Sequence, residues 1–115
     1  MVSSSALIEV IDLNRDLIPH PGCTFFYNIE GSRITDSFIP FKSKFIVDKS
    51  ITPKHGDLVH CILNGTEFIK RLIRVHNGIF LTGKGDVKPV RLHSEMAYFI
   101  SGVVTHIIID SRDLE

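Results

Sequence analysis

The chain has no tryptophan, two cysteines among 115 residues, no excess charge of either sign and no apolar run of membrane-spanning length. Each scarcity excludes something. Thirteen Lys and Arg against thirteen Asp and Glu leave a formal net charge of zero at pH 7. That argues against a general nucleic-acid or anionic-membrane surface, because such binding needs a basic excess or patch. The longest apolar stretches, such as Ile107-Ile108-Ile109 preceded by Val103-Val104, fall far short of the roughly 20 residues of a spanning helix. No charged-then-apolar signal peptide opens the chain. Cys23 and Cys61 are two only, and one lies inside a strand pattern, so free thiols in a reducing cytoplasm are expected rather than a disulfide. His20, His55, His60, His76, His93 and His106 are scattered without close His/Cys ligand spacing, and neither a metal site nor a cofactor is expected.

What is present is the punctuation of a β-protein. A hydrophobic content of 43% suits one compact domain, since chains of this length form single units. Asn64-Gly65 separates Leu58-Val59-His60-Cys61-Ile62-Leu63 from Glu67-Phe68-Ile69-Lys70-Arg71-Leu72-Ile73. This is a strong hairpin signal, because both turn residues tolerate positive φ. A second turn is expected at Asn77-Gly78 and a further break at Gly83-Lys84-Gly85-Asp86, which has no βαβ unit around it and is no dinucleotide loop. Strands are predicted at about Thr24 to Ile29, Lys44 to Val47, Leu58 to Leu63, Glu67 to Val75, Gly78 to Leu81, Val90 to Leu92 and Tyr98 to Ile109. Helical turns are confined to Ser5 to Leu13 and Ser32 to Ser37.

Gly56-Asp57 reads as a turn with Asp capping the backbone, without chemistry of its own. On a strand Lys70 faces one side and Arg71 the other. The basic cluster of Lys70, Arg71 and Arg74 is therefore read as a solvated edge plus one inward lysine. The run Val103, Thr105, Ile107, Ile109 against Val104, His106, Ile108 is apolar on nearly both faces, as in a strand covered on both sides. Eight phenylalanines supply a core without interleaving with basic residues as a single-strand binding platform would.

From Ile11 the chain reads IDLNRDLIPHPGCTFFYNIEG, from Phe45 FIVDKSITPKHGDLVHCILNGTEFIKRL, and from Ile100 ISGVVTHIII. In order and spacing, from about Ile11 to Ile109, these stretches resemble the LexA/UmuD family of self-cleaving Ser/Lys proteins. The resemblance implies a mostly β fold of strongly bent antiparallel sheets with hairpins. It also implies an N-terminal arm over residues 1–10 and a peptidase-fold domain over 11–115. The family cuts its own arm with a serine in a Gly-x-Ser-Met turn and a lysine on a later strand. The corresponding positions here are Arg33, in Gly31-Ser32-Arg33-Ile34, and Lys70.

The departure is chemical. In a Ser/Lys dyad a neutral, desolvated lysine removes the serine proton, whereas a guanidinium stays charged and attacks nothing. Arg33 is expected to turn to solvent or to pair with Glu30 or Asp36. Ser32 is the alternative nucleophile, but it stands one residue early, and on an extended segment a one-residue offset points the side chain to the other face. Ser37 and Ser43 are further displaced candidates. The family cuts between a small residue and glycine, and Met1 to Val10 contains no glycine. This points to the already shortened, mutagenesis-active form rather than its precursor. By resemblance the chain forms a homodimer whose partners are a UmuC-like translesion polymerase, the RecA filament or an active UmuD or LexA relative in the SOS response. Direct nucleic-acid and membrane contacts are not expected.

Overall fold

The computed structural model describes residues 17–30, 42–83 and 89–113. Among them seven strands form one sheet: β1 (Thr24–Glu30), β2 (Lys42–Asp48), β3 (Leu58–Leu63), β4 (Thr66–Val75), β5 (Gly78–Thr82), β6 (Val90–Arg91) and β7 (Tyr98–Ile108). Their order is β1-β2-β7-β3-β4-β5-β6, and every neighbouring pair is antiparallel. The mostly β, hairpin-linked expectation holds, with each strand where the residue pattern puts it. The helical turns expected at residues 5–13 and 32–37, and the break at 84–86, lie outside the described residues.

The β3–β4 hairpin follows from its two turn residues. Asn64 has φ 50° and Gly65 φ 84°, the pairing that lets a two-residue turn match the twist of its strands, and the ladder starts at once with Leu63 opposite Thr66. Alternation then divides β4, with Phe68, Lys70 and Leu72 on one face and Glu67, Ile69 and Arg71 on the other.

Those two faces bury two cores. On one, Ile29, Phe45, Val47 and Ile69 pack with Tyr27, Leu58, Val104 and Ile107. On the other, Val59, Cys61, Leu63, Leu72 and Leu81 pack with Phe68, Ile79, Leu92, Met96 and Ile100. Ile69 of β4 shares this core with Ile29 of β1 although three strands separate them in the sheet order, so the sheet is rolled strongly about the first core.

Strand β7 makes the roll possible. It is central, flanked by β2 and β3, as its two apolar faces suggest. Simple alternation is overturned, however, by register shifts between Ile46 and Val47 opposite it and between His60 and Cys61. Each shift inserts a residue and increases the local twist. As a result Val104 and Ile107, three apart, both reach the first core. At Gly102 the strands press so close that an added Cβ would lie 2.8 Å from Val47 Cγ1, 2.9 Å from Asp48 O and 3.0 Å from Lys49 Cα.

The reading of Arg71 as part of a solvated edge is also corrected. Strand β4 lies between β3 and β5, and the half-buried Arg71 donates from Nη1 to Gly56 O at 2.6 Å. The Gly56-Asp57 turn is as expected: Gly56 has φ 92°, and Asp57 accepts the Lys54 N–H at 2.8 Å.

Candidate functional site

Lys70 sits in mid-β4 opposite Val59 and is buried, with 7% of its surface exposed. It shares a face with Phe68 and Leu72, as its strand position demands. Its Nζ lies 5.1 Å from the centre of the Phe68 ring. Cys61, paired with Phe68, is close enough for the lysine charge to act on it. Burial pushes the Cys61 thiol up to about 12, and Lys70 partly opposes that rise. A lysine held among apolar side chains is the residue type that serves as a base once its charge is removed.

Arg33, Ser32 and Ser37 lie outside the described residues. Ser43 is buried on β2 and shares the face of Phe45 and Val47, which is the first core. Lys70 is on the face of Phe68 and Leu72.

Two polar constellations escaped the sequence reading. At the end of β2, the buried Asp48 accepts from His20 Nδ1 at 2.6 Å and from the Ser50 hydroxyl at 2.6 Å. Between β3, β4 and β7, the buried His60 contacts Ser101 Oγ through Nδ1 and Glu67 Oε2 through Nε2, the latter at 3.0 Å. Tyr27 of β1 stacks on the His60 ring with centroids 3.9 Å apart and planes 18° from parallel. The available signal was a histidine inside the apolar run Leu58–Leu63 and a serine at the start of the apolar run ending β7. A shallow pocket of about 450 Å³ lies elsewhere, with Leu58, Val104 and Ile107 inside and Arg71, Thr105 and His106 at its polar side. Among the described residues no three His, Cys, Asp or Glu side chains gather as a metal cluster, and no helix is long and apolar enough to cross a membrane.

Residues 2–104 match the Peptidase S24-like family, to which the chain belongs, and the mostly antiparallel β fold is consistent with it. Within it the relatives are of the UmuD type, as the IDLN segment and the hairpin sequence suggest. Protein ImpA of Salmonella typhimurium is 30% identical over 112 residues, covering 92% of this chain and 72% of the relative. Protein SamA of Salmonella typhimurium strain LT2 is 30% identical over 107 residues, covering 93% and 74%. Protein MucA of Escherichia coli is 27% identical over 103 residues, covering 89% and 70%.

Proposed function

We propose that this chain is a UmuD-like protein of SOS mutagenesis that has lost its peptidase nucleophile and serves error-prone translesion synthesis as a dimeric interaction module. What supports the reading is Lys70, buried in mid-strand, together with Arg33 at the position that the resemblance assigns to the family's serine. A base without a nucleophile cannot open an acyl bond, and a guanidinium cannot substitute. The partners that fit this role are a second copy, a UmuC-like polymerase, the RecA filament or an active UmuD or LexA relative, in the cytoplasm.

The test is rescue. Incubation with RecA, ATP and single-stranded DNA should leave the mass of the parent chain unchanged. Arg33→Ser, offered a UmuD-type arm fused before Met1, should cleave it, because a positioned base contributes about 10²- to 10⁴-fold. Lys70→Ala in that background should abolish the cleavage. Specific cleavage by the parent, lost on Ser32→Ala or Ser37→Ala, would instead establish a displaced serine working with Lys70. Cleavage by the rescued protein that survives Lys70→Ala would overturn the assignment of Lys70.

A further inference from the structure

Ser101 owes its orientation to the second irregularity in β7. His60 stands opposite Gly102 and Cys61 opposite Ile100, so Ser101 between them has no register partner and is the extra residue of a bulge. Bulges re-aim side chains, and this one turns the Ser101 hydroxyl onto His60 Nδ1. The other ring nitrogen, Nε2, faces Glu67 Oε2 at 3.0 Å.

A carboxylate only accepts, so His60 Nε2 carries the hydrogen and donates it to Glu67. With the ring neutral, Nδ1 bears a lone pair and accepts from the Ser101 O–H. Hydroxyl, imidazole and carboxylate stand in the order in which a serine hydroxyl is activated, with the two ring nitrogens exchanging their more usual places. Tyr27, stacked on the ring, fixes its plane and offers an aromatic face to the imidazolium that forms when the serine proton arrives. The hydroxyl's other acceptor, His60 O, lies at 3.3 Å.

We propose that Ser101, His60 and Glu67 form a nucleophile-activating relay that reacts with small acyl or phosphoryl electrophiles, separate from the Lys70 position. The separation is one of faces, since His60 points away from the side that Val59, Cys61 and Lys70 share. The size limit follows from access: Ser101 is 8% exposed and His60 2%, so a folded protein segment cannot reach the hydroxyl, whereas a compact reagent needs only a small opening. Glu67, with 36% of its side chain exposed, gives the relay an outlet to solvent. In the reaction with a phosphoryl fluoride, Ser101 Oγ bonds to phosphorus, the P–F bond breaks and fluoride leaves. The hydroxyl proton passes to His60 Nδ1 and from the ring to water.

Diisopropyl fluorophosphate is the probe, with the adduct mapped by mass spectrometry on the folded chain. One adduct per chain at Ser101 is expected, with none in Ser101→Ala. Glu67→Gln should label at least tenfold more slowly, because an amide can donate to Nε2 and so favours the tautomer whose Nδ1 carries hydrogen and accepts no proton. Glu67 lies at the surface, and an unchanged circular-dichroism spectrum and melting temperature separate loss of the relay from loss of the fold. A folded parent that stays unlabelled, an adduct on any other residue, or an unchanged rate in Glu67→Gln would each overturn the proposal. Because the adduct is read at residue 101, its outcome is independent of cleavage by Arg33→Ser.

Discussion

Asp48 is buried to 1% exposure, where its carboxylate accepts from the Ser50 N–H, the Ser50 hydroxyl and His20 Nδ1 at 2.8, 2.6 and 2.6 Å. The Ser50 hydroxyl first, and His20 after it, hold this carboxyl below the ordinary carboxylate range, against the opposing effect of burial. A group depressed in the folded state stabilises fully above its unfolded value, near 4, and loses that contribution as pH falls through the native value. Ser50→Ala raises the native value toward the ordinary one. Its acid-unfolding midpoint, followed by circular dichroism, should therefore move to higher pH. Cys61 behaves in the opposite sense. Its thiol, raised to about 12 mainly by burial, stabilises below the unfolded thiol range near 8.5 and loses that contribution as pH climbs toward the native value. The same burial shields it from alkylation. Iodoacetamide at pH 8 should modify the partly exposed Cys23 of the folded chain and spare Cys61, and two adducts on folded protein would contradict this placement.

At the scale of the element, β7 and the β3–β4 hairpin illustrate two different demands for glycine. Gly102 needs space: an added methyl would strike Val47 Cγ1 at 2.8 Å and the backbone of Asp48 and Lys49 within 3.0 Å, and backbone cannot swing aside. Gly102→Ala should destabilise by about 1–3 kcal/mol, the usual range for overpacking. For a chain of 115 residues that corresponds to roughly 4 °C of melting temperature per kcal/mol, between the values for smaller and larger domains. Gly65 has open space around it but φ 84°, so Gly65→Ala costs about 1–2 kcal/mol through backbone conformation alone. A rescuing substitution at Val47, such as Val47→Ala, should recover part of the Gly102→Ala loss and none of the Gly65→Ala loss. Equal response of both would show that the clash at Gly102 is not the cause.

Among the described residues, the rolled sheet leaves β1 as an edge with Phe26 64% exposed, and it leaves Phe99 59% exposed at the start of β7. Phe25, Tyr98 and Ile108 are exposed as well. Lys49 partly shields the Phe25 ring, its Nζ 4.2 Å from the centroid. An unpaired edge bearing large apolar side chains is a surface that pairs with another chain, which is consistent with the dimer proposed above. Sedimentation at micromolar concentration should give twice the monomer mass, and a purely monomeric species would count against the dimer.

The residues by themselves determined the positions of the strands, the Asn64-Gly65 hairpin, the inward side of Lys70 and the family, because these depend on period-two patterning and turn chemistry within a few residues. Period two assigns a side chain to a face, but it does not say where the alternation breaks or how far the sheet rolls. The two bulges in β7 decided that Val104 and Ile107 share a core and that Ser101 turns toward His60. The roll decided that Tyr27 reaches His60 across β2 and β7. The contacts of His60 with Ser101 and of His20 with Asp48 join residues 41 and 28 positions apart. Such pairs are fixed by strand order and by the close approach at Gly102, quantities that exist only once the sheet has closed upon itself.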